Sequence, residues 1–94
     1  MSSYPVRRIA RALESKGFTG DEAHHRMFWL VVEGRRRGIR TYISHGIREY
    51  GDRLLSAVAK EMKLRRSELD AFIQCSMSGE EYVELLRERG HLQG

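Results

Sequence analysis

Ninety-four residues, 40% hydrophobic and 32% charged, suffice for one two-layer domain and leave no room for a second core of ordinary size. That composition excludes collagen-like, membrane-spanning and wholly disordered chains, and no apolar run approaches the roughly 18 residues a membrane helix needs. The net charge of +4 is unevenly spread: residues 1–66 hold 15 Lys/Arg against 7 Asp/Glu, whereas residues 67–94 hold 2 against 6. A basic body with an acidic end suits a polyanion-binding surface plus a segment that packs elsewhere; an unevenly charged solvated surface is the alternative. No apolar stretch follows Met1-Ser2-Ser3-Tyr4-Pro5, so no secretory signal is expected. The single cysteine, Cys75, cannot close an internal disulfide, and a reducing, cytoplasmic location is expected.

Along the chain, Val6, Ile9, Ala10 and Leu13 recur at three- and four-residue spacing and predict a helix over 3–16. Ser3 would cap it, Pro5 sits in its first turn and Gly17 offers a left-handed stop. Arg7, Arg8 and Arg11 lie off the apolar stripe, either as a solvated face or as a phosphate-contacting ridge. Phe18 to Ala23 reads as a connection. From His24 to Glu33 the chain is β-rich, Gly34-Arg35-Arg36-Arg37-Gly38 breaks the run, and Ile39 to His45 resumes it, which predicts an antiparallel hairpin or three-strand sheet. After the breaker Gly46, Asp52 caps a helix to about Lys63 with Leu54, Leu55, Val58 and Met62 on its stripe. Ser67 with Asp70 opens a short helix bearing Leu69, Phe72 and Ile73, and Ser78 with Glu81 opens a last one bearing Tyr82, Val83, Leu85 and Leu86, ended by Gly90. No repeat or low-complexity segment interrupts this order, which is that of an α+β layer fold.

A turn centred on Arg36 sets Trp29 opposite Ile43 and Phe28 opposite Ser44. One face then carries His25, Met27, Trp29, Val31, Ile39, Thr41, Ile43 and His45, and is expected to pack against the helices because it is the more apolar. The other mixes His24, Arg26, Phe28, Leu30, Val32, Arg40, Tyr42 and Ser44. Arginine there supplies bidentate phosphate contacts, and Phe28 and Tyr42 are candidates to stack bases. The competing reading covers part of this face with the C-terminal helices. A one-residue slip in register would exchange the faces.

The chain has four histidines, His24, His25, His45 and His91. RNA is cleaved without metal when a base takes the 2′-OH proton and an acid protonates the leaving 5′-oxygen, and the near-neutral pKa of histidine suits both tasks. His24 near Arg26 and Arg40 is chemically competent for this, the arginines stabilising charge on the phosphorane; a surface or edge role is the plain alternative. His24 and His25 point to opposite faces of a strand, and no His/Cys/Asp/Glu set has zinc spacing, so no metal is expected. No phosphate-binding loop, dinucleotide fingerprint or nucleophile context is present, and no cofactor is expected. Cys75 reads as a small buried hydrophobe. The Arg35-Arg36-Arg37 run is either a backbone clamp or a solvated loop.

From about Arg7 to Leu64 the chain resembles the HicA-type toxin family. The resemblance rests on a basic first helix ending Leu13-Glu14-Ser15-Lys16-Gly17-Phe18, His24-His25 opening a strand, the Arg-rich hairpin, Ser44-His45-Gly46, and a helix with Leu54-Leu55-Ser56-Ala57-Val58 and Met62-Lys63-Leu64. It implies a two-layer, double-stranded-RNA-binding-domain-like core, α-β-β-(β)-α with a small antiparallel sheet, over residues 1–66. An acidic extension over 67–94, with two short helices packed on the same domain, would follow. The family's Gly-Ser-His marker aligns with His24, here preceded by Glu22 and Ala23, and its second histidine aligns with His45. The resemblance implies an mRNA endoribonuclease of a toxin–antitoxin system, an mRNA substrate and a HicB-like antitoxin partner.

The leading expectation is therefore a HicA-like RNA-binding protein or metal-independent mRNA interferase. His24 and His45 would be catalytic, and Arg26, Arg35, Arg36, Arg37, Arg40 and Tyr42 would bind nucleic acid. One alternative is a helix-turn-helix DNA-binding regulator over Val58–Leu69, weakened by Glu68 and Asp70 on the reading helix. Another is a non-catalytic interaction module using Phe28, Leu30 and Tyr42. No membrane partner is expected, and a homodimer is compatible with the sequence.

Overall fold

The computed structural model describes residues 3–20, 27–44 and 46–92. In it the first apolar stripe builds helix α1 (Val6–Ser15), which buries Ile9, Ala12 and Leu13. The helix starts later than the stripe predicts because Tyr4–Pro5 (β1) is extended and pairs antiparallel with Glu49–Tyr50 (β5), Tyr4 opposite Tyr50. Pro5, with φ −60° and ψ 141°, serves as N-cap, where its missing N–H costs no helical bond. Gly17, at φ 107°, turns the chain out of the helix.

Phe18–Gly20 (β2), expected as connection, is a strand. It pairs with Met27–Val32 (β3), Phe18 opposite Leu30 and Thr19 opposite Trp29, and β3 pairs on its other side with Arg35–Tyr42 (β4). The sheet order is β2-β3-β4, antiparallel throughout.

The hairpin departs from the expected turn. Only Glu33 and Gly34 break the run, with φ 55° and 76°, the two left-handed positions of a two-residue hairpin turn. The arginine run therefore belongs to β4. Phe28 lies opposite Thr41 and Trp29 opposite Arg40. This register is three residues from the expected one, and an odd displacement turns β3 over. Phe28 and Leu30, at 6% and 0% exposure, join Ile39, Thr41 and Ile43 in the core. Met27, Trp29 and Val31 stand on the opposite face. Between the Trp29–Arg40 and Val31–Arg36 pairs, Arg37-Gly38-Ile39 oppose the single residue Leu30, a bulge that uses Gly38 at φ 81°.

Asp52–Glu61 (α2) buries Leu55, Val58 and Ala59 and carries Asp52 in its first turn, where the helix dipole favours a carboxylate. Arg66–Ile73 (α3) opens one residue before the expected cap: the Arg65 N–H donates to Glu68 Oε1 at 2.7 Å. Gly79–Glu88 (α4) has the Ser78/Glu81 capping box its sequence predicts, Glu81 N donating to Ser78 Oγ at 3.0 Å and Ser78 N to Glu81 Oε1 at 2.8 Å. A Cβ at Gly79 would stand 3.0 Å from the Lys16 carbonyl oxygen, so glycine lets α4 begin against the end of α1.

The helices gather on the sheet face that carries Phe18, Phe28 and Leu30. Phe18, Phe72 and Tyr82 form an aromatic cluster with centroid separations of 6.3, 5.8 and 5.2 Å. The Tyr82 hydroxyl donates to Met62 O at 2.8 Å, and burial holds this phenol far above its usual pKa. Lys16 Nζ donates to Met77 O at 2.7 Å and to Phe72 O, and lies 4.8 Å from the Phe72 ring centroid. It thereby fastens α1 to the C-terminal end of α3. Cys75, expected to be buried, is exposed at φ 66° just beyond α3, where Gln74 has already ended the helix. Among the described residues, no helix is long and apolar enough to cross a membrane.

Candidate nucleic-acid interface

Strand alternation places Thr19 of β2, Met27, Trp29 and Val31 of β3, and Arg36, Arg40 and Tyr42 of β4 on the sheet face opposite the core. Trp29 is central to it. The guanidinium carbons of Arg36 and Arg40 lie 4.8 and 5.1 Å from its ring centroid, within cation–π range. Among the described residues, no carboxylate forms an ion pair with Arg35, Arg36 or Arg40. The Trp29 indole N–H is shielded from solvent and has no acceptor among the described residues. A buried donor left unmade costs about 1–3 kcal/mol.

Tyr42, 45% exposed, ends β4 on the same face. Its position is fixed from behind. Glu61 Oε1, at the end of α2, accepts Thr41 Oγ1 at 2.7 Å and the Tyr42 N–H at 3.3 Å. Ser44 N donates to the Tyr50 hydroxyl at 2.7 Å. Strand β4 is thus tied to α2 and β5 while Arg36 and Arg40 stay on the outer face.

Of the residues expected to bind nucleic acid, Arg36, Arg40 and Tyr42 come together. Arg35 is exposed but lies opposite Val32, on the other side of the strand alternation. Arg37 folds back: its Nε donates to Val32 O at 3.3 Å and its Nη2 lies 3.7 Å from Glu33, which also meets Arg87 at 3.5 Å. The three consecutive arginines therefore point to different surroundings and do not act as one clamp. His24, Arg26 and His45 lie outside the described residues. Phe28, expected as a stacking candidate, is in the core, and Trp29, expected in the core, takes the outer position. The alternation on β4, with Ile39, Thr41 and Ile43 inward and Arg40 and Tyr42 outward, carries the signal for the correct face. The unbroken apolar run Met27–Val32 does not.

The α2–α3 pair has the order of a helix-turn-helix, but its second helix offers little to phosphate. Glu68 accepts from Arg89 through both carboxylate oxygens, the Nη1–Oε1 bond being 2.9 Å, and this guanidinium holds the Glu68 carboxyl below its usual pKa. Asp70 accepts from the Tyr4 hydroxyl at 2.9 Å and from Arg66, which reaches Asp52 at 3.2 Å. Arg66 is the one basic residue of α3, and its guanidinium is engaged by these two carboxylates. Among the described residues, no group of three His, Cys, Asp or Glu is placed to hold a metal ion.

Comparison of the chain with known protein families, curated proteins and solved structures finds no match.

Proposed function

We propose that this protein binds RNA through the outer face of its β2-β3-β4 sheet and is a HicA-like endoribonuclease. The observation that carries the reading is the pair of arginines, Arg36 and Arg40, drawn over Trp29 without a carboxylate partner among the described residues. Guanidinium groups not neutralised by neighbouring acids are the natural receptors of a phosphate chain. The order α1-β2-β3-β4, followed after the short strand β5 by α2, with helices on one face of a three-stranded sheet, supports the double-stranded-RNA-binding-domain-like assignment. The arrangement favours the sheet over α3 as the nucleic-acid surface, because Asp70 and, from α2, Asp52 already occupy the one arginine of α3.

In this reading His24, three residues ahead of β3 in the sequence, takes the proton of a ribose 2′-OH. The 2′-oxygen attacks phosphorus and the P–O5′ bond breaks. His45 returns a proton to the 5′-oxygen, leaving a 2′,3′-cyclic phosphate and a 5′-hydroxyl. Arg36 and Arg40 stabilise the charge that builds on the non-bridging oxygens. The partner is a HicB-like antitoxin that shields this face. The test is expression of the chain and of His24→Ala in a bacterial host, with cleavage of purified RNA assayed in parallel. Wild type should arrest growth and leave cyclic-phosphate ends, and His24→Ala should do neither. Absence of toxicity and of cleavage by wild type would overturn the nuclease assignment, and absence of RNA binding would overturn the whole reading.

A further inference from the structure

We infer that Trp29 is a stacking platform for an unpaired base, so that the ligand of this face is single-stranded rather than duplex RNA; the inference rests on the RNA-binding reading above. Three features of the site point to it. The ring stands on the central strand with planar cations over it, at 4.8 and 5.1 Å. Those cations are the ends of long, flexible side chains, so they yield the ring to another planar π-system, and once displaced they present bidentate forks to the flanking phosphates. The indole N–H, buried without an acceptor among the described residues, gains one if a base carbonyl or phosphate oxygen arrives as the cover opens. Tyr42 stands diagonally across from Trp29, two pairs along the ladder, at roughly 7 Å between Cα positions. That interval lets a second base of an extended strand follow the first.

A duplex cannot use such a platform. Paired bases have both π-faces occupied by their neighbours, and the deep, narrow major groove of A-form RNA keeps a strand-borne indole from the base edges. Only unpaired nucleotides can lay a base on Trp29.

Trp29 is the only tryptophan in the chain, so its fluorescence reports on this site without labelling. The experiment titrates the full-length His24→Ala chain with an unstructured RNA of about ten nucleotides and with the same RNA annealed to its complement. The single strand should quench the emission and bind about tenfold or more tightly than the duplex. Trp29→Leu, followed by anisotropy of a labelled strand, should weaken single-strand binding by about 5- to 100-fold, with Trp29→Phe recovering part of the loss. Equal affinity for the two forms, or no quenching on saturation by single strand, overturns the stacking role using the unsubstituted tryptophan. If that result comes with loss of binding in Arg36→Ala/Arg40→Ala, RNA binding survives without stacking. If neither RNA form binds, the RNA-binding reading falls as well.

Discussion

Replacing Leu30 by alanine tests the hairpin register on which the outer face depends. In the observed register Leu30 is wholly buried beneath the helices, opposite the Arg37–Ile39 bulge and paired to Phe18 on β2. Truncating such a leucine removes its burial energy and leaves a cavity, about 2–5 kcal/mol in all. A chain of this length holds roughly 5–14 kcal/mol of stability, so the loss is a large share of the total. At about 3 kcal/mol the melting temperature should fall by roughly 12–24 °C. Trp29→Leu should behave differently. It gives up two cation–π contacts of about 0.5–1 kcal/mol each but also removes a buried N–H without an acceptor, and should stay within about 1 kcal/mol of wild type. Urea titrations followed by circular dichroism give both numbers. A larger loss for Trp29→Leu than for Leu30→Ala would place the tryptophan in the core and refute the register.

Other expectations follow from single contacts. Lys16→Met removes the ammonium that binds the Phe72 and Met77 carbonyls and should cost about 2 kcal/mol in urea unfolding. Tyr82→Phe keeps the aromatic cluster but strips the Met62 carbonyl of its donor, and should cost about 1–2 kcal/mol by the same measurement. Glu68, with its carboxyl held low by Arg89, contributes stability above its unfolded pKa of about 4.3, and that contribution fades as pH falls through the folded value. Wild type should therefore exceed Glu68→Gln in stability near neutral pH, and the gap should close below about pH 4; a gap independent of pH would contradict the pairing.

The sequence was most legible where amphipathic period and end signals agree. The stripe of α1, the stripe of α2 and the Ser78/Glu81 box of α4 all translate directly into structure. The strands were harder for physical reasons. Three arginines in a row between glycines read as a loop, yet on an edge strand such side chains are at home because they are solvated and discourage pairing with other chains. The true turn, Glu33-Gly34, is a weaker signal than an Asn-Gly pair would be. Met27–Val32 is apolar at every position, so the sequence carries no alternation to choose its inner face. A displaced turn is therefore free to invert it. The outward position of Trp29 is therefore not encoded locally, whereas that of Arg40 and Tyr42 is, because β4 alternates. Short strands such as β1 and β5 are set by each other across the fold, which no local pattern encodes.

Whether Trp29 and its two arginines hold RNA is measured most directly by a ¹⁵N-correlated NMR titration of the His24→Ala chain with single-stranded RNA. The single tryptophan yields one indole N–H cross-peak. That peak and the amides of Arg36, Arg40 and Tyr42 should shift on RNA addition, while the amides of α3 from Ser67 to Ile73 stay in place. Shifts confined to α3, or none at Trp29 with RNA bound, would contradict RNA binding at this site.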